Sequence, residues 1–302
     1  MRAFEARRQW ILLIWGAGLA VSIAGCGRTL PPGVKIDEAT YTSMRDELNA
    51  GASGASAVAD LQPTGFTTIK GRFHVVGTVP SPGTLTVTAD MGVCAPGGKL
   101  PPNQQVTIAA NGGLSDVVFY LNQDVPESWE HPDDAAKKNA EVSFDQKECI
   151  FLTHVLAFRS TQILKVINSD PVAHNTKIDP ARGATKENFV MPVGATATYS
   201  PGGQSPSPFA VSCSIHPWMS AWMLTRDNPY FAVTDKDGNF EIKNVPTGVP
   251  LQFRAWQEKL KFVSNVTLNG AGVTWKKGKL AKVTLEEGKE WVLDVTIDAS
   301  EF

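Results

Sequence analysis

Short apolar runs, separated by turns rich in glycine and proline, recur along the chain from residue 65 to its end. Residues 84–88, for example, alternate polar and apolar side chains, which is typical of a half-buried strand. Asp237-Gly238 lies between two such runs and predicts a tight hairpin turn. Because the 302 residues include 26 glycines and 20 prolines, and no strong helical period follows residue 64, the pattern predicts an all-β protein.

Composition and motifs argue against several functional classes. The net charge is -2 and no run of lysine or arginine could neutralise a phosphate backbone, so nucleic acid is not an expected partner. The hydrophobic fraction of 42% is ordinary for a globular protein. The chain also lacks the Gly-x-Ser-x-Gly, His-Glu-x2-His and phosphate-loop motifs of common enzymes.

The N-terminus has the pattern of an export signal. Three arginines precede a short apolar core at residues 10–20, which is too brief for a comfortable membrane span. Residues 23–26, Ile-Ala-Gly-Cys, then resemble the lipobox of bacterial lipoproteins, in which the bond before the cysteine is cut and the cysteine carries lipid. We therefore expect a signal peptide over residues 1–25 and lipidation of Cys26. The alternative is an ordinary signal peptide with a chance cysteine.

A lipidated cysteine implies a location in the cell envelope. An acylated Cys26 would hold the protein at a membrane surface without spanning it. Residues 26–64 are rich in small residues and predict a flexible tether between the anchor and a folded body. We expect an exported protein, anchored to a membrane and facing the periplasm or the outside.

Residues 213–219, Cys-Ser-Ile-His-Pro-Trp-Met, carry the most distinctive chemistry. Gaps of two residues separate Cys213, His216 and Met219, so one tight loop can aim a thiolate, an imidazole and a thioether at one point. These ligand types suit copper, which in blue-copper sites takes two imidazoles, one thiolate and a weak axial thioether. His174, which follows a strand-like run and a turn, is available as the second imidazole.

Two of the four cysteines, Cys26 and Cys213, already have predicted roles. The remaining pair, Cys94 and Cys149, would lie in an oxidising compartment where disulfides persist. We therefore predict a Cys94–Cys149 disulfide, which would close a loop of about fifty residues and stabilise the fold by roughly 2–4 kcal/mol. Two buried free thiols are the alternative.

The patterns Asn-x-Asp-Pro-x2-His-Asn at residues 168–175 and Cys-x2-His-Pro-x-Met at residues 213–219 resemble the cupredoxins. The short ligand loop is most similar to that of amicyanin, and the resemblance covers residues 105–228. It implies a Greek-key β-sandwich that holds one type 1 copper and moves single electrons between redox partners.

The resemblance also assigns residues by position. It implies that His174, Cys213 and His216 are the equatorial ligands and that Met219 is the axial one. Asn175 would brace the cysteine loop, because bonds to the residues around a metal site orient its ligands.

The edge of the second histidine is the electron exit port in this family. Pro217, Trp218 and Trp222 could then form a docking patch around His216, since aromatic residues are enriched at contact surfaces. The alternative is that Trp218 and Trp222 belong to the core.

A second resemblance lies in the C-terminal part. Residues 233–248, with the pattern Val-Thr-Asp-x-Asp-Gly-x-Phe-x-Ile-x2-Val-Pro-x-Gly, are similar to carboxypeptidase-regulatory-like, transthyretin-like sandwiches. This implies a second, smaller β-sandwich over residues 229–302. The N-terminal strands of residues 65–104 could belong to it, because Lys-Gly-Arg-Phe at residues 70–73 is like that family's opening strand. The copper domain is then either inserted in this sandwich or placed in tandem with it.

Together these features predict a membrane-tethered carrier of single electrons, with a redox protein such as a cytochrome or dehydrogenase as its partner. Enzymatic activity is not expected, because five histidines are too few for the oxygen-reducing cluster of a multicopper oxidase. The alternative function is a binding or scaffold module of the envelope whose copper site is a sensor, a store or vestigial.

Overall fold

The computed structural model describes residues 61–302. Regular structure in this range is almost entirely β-strand, interrupted by helical turns of three or four residues, so the predicted all-β class is confirmed. None of the helices in this range has the length and hydropathy needed to cross a membrane. The predicted signal peptide, the lipidation site Cys26 and nearly all of the tether lie outside the described residues.

The elements follow one another in a regular series of short strands. The strands are β1 (Phe66–Val76), β2 (Val118–Leu121), β3 (Glu141–Lys147), β4 (Ile150–Phe151), β5 (Val155–Arg159), β6 (Ile163–Asn168), β7 (His174–Ile178), β8 (Glu187–Met191), β9 (Thr196–Tyr199), β10 (Phe209–Ser212), β11 (Ser220–Arg226), β12 (Phe231–Val233), β13 (Asn239–Pro246), β14 (Pro250–Leu251), β15 (Phe253–Gln257), β16 (Lys261–Phe262), β17 (Asn265–Leu268), β18 (Ala271–Thr274), β19 (Val283–Thr284) and β20 (Trp291–Asp298). The helices are α1 (Met91–Cys94) and α2 (Pro132–Ala135), with 3-10 turns at Pro96–Gly98, Glu127–Trp129 and Ala299–Glu301.

One sheet joins the start of the described chain to its end. In the order β13-β1-β20-β17-β18, β1 pairs antiparallel with β13 and parallel with β20. Gly71 lies where both neighbours approach, since a Cβ atom there would come within 2.4 Å of the Leu293 carbonyl oxygen and 2.6 Å of the Phe240 ring. The strand at the start of residues 65–104 thus shares a sheet with strands of residues 229–302. The domain boundaries and the choice between inserted and tandem order stay predictions.

Two further sheets face each other across a second core. Their orders are β5-β11-β10-β7-β8 and β4-β3-β6-β9. Aromatic side chains from both sheets share one buried cluster, among them Phe144, Phe158 and Tyr199. Cys213 and Met219 belong to the same cluster, so the candidate ligand loop is part of this core.

A four-stranded sheet, β12-β2-β15-β16, lies between these two parts. Because neighbouring side chains of a strand point to opposite faces, β2 contributes to both cores. Phe119 and Leu121 pack into the core beneath β1, whereas Val118 and Tyr120 join a cluster with residues of β5 and β11. The alternation of β2 therefore fixes the two parts of the molecule against each other.

The predicted hairpin around Asp237-Gly238 is only half correct. The turn forms, with Gly238 at φ 82° and its N–H donating to the Asp235 carbonyl. The flanking strands do not pair with each other, because β12 pairs with β2 and β13 pairs with β1. The strands diverge after the turn since each completes a different sheet.

Candidate metal centre

Two adjacent strands bring the candidate ligands together. β10 and β7 are antiparallel neighbours, with Val211 opposite Ile178 and Ser212 opposite Lys177. The end of β10, which leads into Cys213, therefore lies beside the start of β7 at His174. The loop that follows Cys213 closes on itself, because the Met219 N–H donates to the His216 carbonyl at 2.9 Å.

Three of the predicted ligands converge on one point. A ring nitrogen of His174, a ring nitrogen of His216 and Cys213 Sγ all lie within 4.8 Å of one another. Both histidines are 0% exposed and Cys213 is 2% exposed. Met219, at the end of the loop, is 1% exposed. All four predicted ligands are thus buried at the same end of the sandwich.

Each histidine uses its outer nitrogen to bond a carboxylate. His174 Nε2 lies 2.8 Å from Asp170 Oδ2, and His216 Nε2 lies 2.8 Å from Asp90 Oδ2. Because a carboxylate accepts hydrogen bonds, each Nε2 carries a proton, and Nδ1 is the nitrogen of each ring that is available to a metal. The two Nδ1 atoms face each other at 2.8 Å beside the sulfur of Cys213. Two ring nitrogens and a sulfur that converge in this way form a candidate site for a metal ion.

The surroundings of Cys213 favour its thiolate. Its sulfur accepts the N–H groups of Asn175 at 3.4 Å and His216 at 3.3 Å. Burial raises the pKa of the thiol, but the hydrogen bond with His174 and these backbone donors outweigh burial, and the pKa is lowered overall. Cys213 is therefore a ready soft ligand.

His174 and Asp170 form a tightly coupled pair. Burial lowers the pKa of His174, but the hydrogen bonds with Asp170 and Cys213 outweigh burial and raise the pKa to about 9. Burial raises the pKa of Asp170, whereas His174 and the N–H groups of Cys149 and Glu148 lower it by more. The two shifts share one cause, because the hydrogen bond between Asp170 and His174 stabilises the charged form of each partner.

Asn175 bonds to the loop that carries the sulfur. Its Oδ1 accepts the N–H of Ser214 at 2.6 Å and that of Ile215 at 3.3 Å. Its Nδ2 donates to Asn188 Oδ1 on the neighbouring strand β8. The side chain thus ties the start of the Cys213 loop to β7 and β8.

The structure contains the Cys94–Cys149 disulfide, and Cys213 is the free cysteine of the described residues. Both bridged sulfur atoms lie within 4.8 Å of a ring nitrogen of His216, so the disulfide lies directly against the candidate site. Cys94 ends α1, and Asp90 immediately precedes α1. The bridge therefore holds in place the segment whose carboxylate covers His216.

The segment around Asp90 covers the edge of His216, which is the expected electron exit port. His216 is fully buried, and Asp90 occupies its outer nitrogen. Trp218 lies against the same ring, with centroids 5.0 Å apart, and donates its Nε1–H to the Cys149 carbonyl at 3.1 Å. Access to His216 in the described structure thus passes through Asp90, Trp218 and the disulfide.

The residues of the predicted docking patch have different environments. Pro217 is exposed, whereas Trp218 and Trp222 are half-buried. Trp218 packs against the core of the metal-site sandwich. Trp222 packs against Trp256 at 5.0 Å and lies beneath the Lys261 ammonium.

Two carboxylates of the site were not predicted from the sequence. Asp170 belongs to the motif at residues 168–175, but nothing in its type distinguished a ligand-orienting role from a turn residue. Asp90 is 126 residues from His216 along the chain and belongs to no motif. Contacts of that separation depend on the folded topology, so the sequence held no signal for Asp90.

No family model and no curated protein matches the chain. Among solved structures, it is similar to a copper-containing nitrite reductase from Thermus scotoductus SA-01, with 15% identity and a TM-score of 0.27 over 29% of this chain. The match spans only 23% of the reductase. It is also similar to a copper(I) form of an amicyanin mutant, with 15% identity and a TM-score of 0.26 over 30% of this chain and 89% of amicyanin. A reduced form of another amicyanin mutant is also similar, with 14% identity and a TM-score of 0.26 over 40% of this chain and 99% of amicyanin.

Proposed function

We propose that this protein binds one copper ion through His174, Cys213, His216 and Met219 and carries single electrons between redox proteins. The observation that carries the proposal is the convergence of two buried imidazole nitrogens and the sulfur of Cys213 within 4.8 Å. Bound copper would supply a one-electron couple between Cu(I) and Cu(II).

The donor set fits copper better than zinc. Zinc sites in proteins use cysteine, histidine and carboxylate ligands, and catalytic ones keep a position open for water. Here the fourth candidate is the thioether of Met219, which is buried. One thiolate, two imidazoles and a thioether are the ligands of electron-transfer copper sites.

Burial favours a carrier over a catalyst. The four candidate ligands are at most 2% exposed, so a substrate has no route to the metal in the described structure. Asp170, Asp90 and Asn175 hold the ligand side chains through hydrogen bonds. A fixed set of ligands lets the metal change its oxidation state with little rearrangement, which suits electron transfer.

The cell envelope is the proposed location. The lipobox-like residues 23–26 support export and anchoring through Cys26, and the Cys94–Cys149 disulfide is consistent with an oxidising compartment. The proposed partner is a cytochrome or a dehydrogenase that docks near Pro217 and Trp218. The alternative is an envelope binding or scaffold module with copper as a sensor, a store or a vestige.

Optical titration tests copper binding. Protein expressed from residue 27, with Cu(II) added, is expected to become intensely blue and to saturate at one copper per chain. Cys213→Ser removes the thiolate and is expected to abolish the colour. His131→Gln is the matched control, because His131 is a histidine outside the site that bonds only to its own loop in the described structure. A colourless wild-type protein after verified loading would contradict the proposal.

A further inference from the structure

A cleft of about 490 Å³ lies at the opposite end of β11 from the candidate metal centre. β11 begins directly after Met219 and ends at Arg226, which lines the cleft. Seven residues of strand separate these two positions by about 23 Å. The cleft is therefore a separate feature of the molecule.

Positive charge dominates the lining of this cleft. Four lining residues are cations, namely Arg182, Arg226, Arg254 and Lys279. Asp124 is the single acidic residue in the lining, and its carboxylate accepts a hydrogen bond from Gln204. Within residues 61–302, none of the four cations has a carboxylate oxygen within 4.0 Å.

Three of the cations are close neighbours. The guanidinium of Arg226 lies 5.6 Å from the centre of the Tyr120 ring. Tyr120 is the cross-strand partner of Arg254, and Arg254 is in turn opposite Lys279 in a β-bridge. Like charges placed opposite each other across strands destabilise a sheet. The pairing of Arg254 with Lys279 therefore costs free energy unless an anion lies between them.

Arg226 is the most deeply buried of the four cations. It is only 5% exposed, and its guanidinium donates to the backbone carbonyls of Ser205, Leu121 and Gln123. A buried charge that is bonded only to neutral groups is expensive. Burial accordingly lowers the pKa of Arg226.

We propose that this cleft binds a small, soluble oxyanion. Its phosphate or carboxylate groups bond to Arg254, Lys279 and Arg182. Guanidinium groups recognise such groups through paired hydrogen bonds, and the volume suits a small molecule. Asn122 and Gln123 add amide groups to the lining. The bound anion offsets the charge of Arg226 and joins the metal-site sandwich, which carries Arg226, to the sheet that carries Arg254.

Calorimetric titration with inorganic phosphate and with citrate, at ionic strength held constant with sodium chloride, tests the proposal. We expect one site per chain and a melting temperature that rises with ligand concentration, because the ligand binds the folded state. Binding of phosphate alone identifies a phosphate site, binding of citrate alone identifies a polycarboxylate site, and binding of both identifies a general oxyanion site.

Charge-removing variants locate the site. Lys279→Gln and Arg182→Gln change half-buried or exposed residues, so folding is preserved, and each is expected to weaken binding on the order of tenfold. Lys282→Gln, an exposed lysine outside the lining, is the matched control and is expected to bind as the wild type does. No binding of either anion up to 10 mM, or equal binding by all three variants and the wild type, would overturn the proposal. The blue colour of copper-loaded protein is independent of this result.

Discussion

The two histidines of the candidate site are held in the same way by residues from different parts of the chain. Asp170 is four residues before His174, whereas Asp90 comes from a distant segment, yet both bond to the outer nitrogen of an imidazole at 2.8 Å. This bond orients each ring so that its Nδ1 faces the other histidine beside the sulfur. Asp170 and Asp90 therefore contribute to the site by orienting its two histidines.

Asp90→Asn is expected to weaken copper binding. The change removes the negative charge at His216 Nε2, and loss of such a partner typically costs about 10- to 100-fold in metal affinity. Competition with a copper(I) chelator measures the affinity. Asp133→Asn, at an exposed aspartate, serves as the control. Affinity equal to that of the wild type in Asp90→Asn would show that this carboxylate does not orient the ligand.

Glu258 is expected to make stability depend on pH. Burial raises the pKa of this carboxyl, but the hydrogen bond with His154 and the nearby Trp222 and Lys261 side chains outweigh burial and lower the pKa below its ordinary value of 4.5. The ionised carboxylate therefore stabilises the fold above about pH 4.5. That stabilisation is lost as the pH falls through the folded-state pKa.

Glu258→Gln tests this expectation through urea unfolding at pH 7 and at pH 3. The variant is expected to be less stable than the wild type by about 1–3 kcal/mol at pH 7, because Glu258 Oε2 bonds His154 Nε2 at 2.6 Å inside the protein. The difference is expected to shrink at pH 3. Glu187→Gln, at an exposed position, controls for a general effect of charge. A constant difference at both pH values would refute the assignment.

The segment around α1 is held in place by bonds to other parts of the protein. Four residues are too few for a helix to be stable alone, so the Cys94–Cys149 bridge and the bond between Asp90 and His216 hold it in place. The sequence predicted the bridge by accounting for the cysteines. It did not predict that the bridge lies against His216, because that contact depends on how distant strands pack.

Replacing Cys94 and Cys149 together by alanine is expected to have two effects. Loss of a bridge that spans 55 residues lowers the free energy of unfolding by about 2–4 kcal/mol. The cover over His216 then loses its covalent attachment, so a chelator should extract copper several times faster than from the wild type. Stopped-flow mixing with the chelator measures the rate. An unchanged rate would mean that the segment does not control access to the site.

Gly71 shows how closely the strands of the first sheet approach. Gly71→Ala would place a Cβ atom within 2.4 Å of the Leu293 carbonyl oxygen, so the strands must move apart. We expect a loss of about 1–3 kcal/mol in the free energy of unfolding, measured with urea. Gly272→Ala is the matched control, because a Cβ at that strand position meets nothing within 4 Å. Equal stability of the two variants would contradict the packing described for β1.

The turn at Gly238 marks the limit of prediction for strands. Local residue types were sufficient to predict the turn, because positive φ favours glycine. The pairing of β12 with β2 and of β13 with β1 depends on sheets formed by residues more than a hundred positions away. Local pattern therefore predicted where strands begin and turn, but not which strands pair.

The turn-rich pattern of the sequence predicted the all-β class of the whole molecule. It did not predict how the sheets stack on one another. The two faces of β2 enter different clusters, so this strand links the core beneath β1 to the sandwich that holds the candidate ligands. The four apolar residues Val118–Leu121 are all buried, which is typical of a strand covered on both faces. They could not indicate which sheets would cover it.

Voltammetry of the copper-loaded protein tests the central proposal most directly. A reversible one-electron wave is expected for the wild type and for Lys282→Gln, and this wave is expected to be lost in Cys213→Ser. Absence of a reversible wave from wild-type protein with one bound copper, or a wave that persists in Cys213→Ser, would contradict electron transfer through this site.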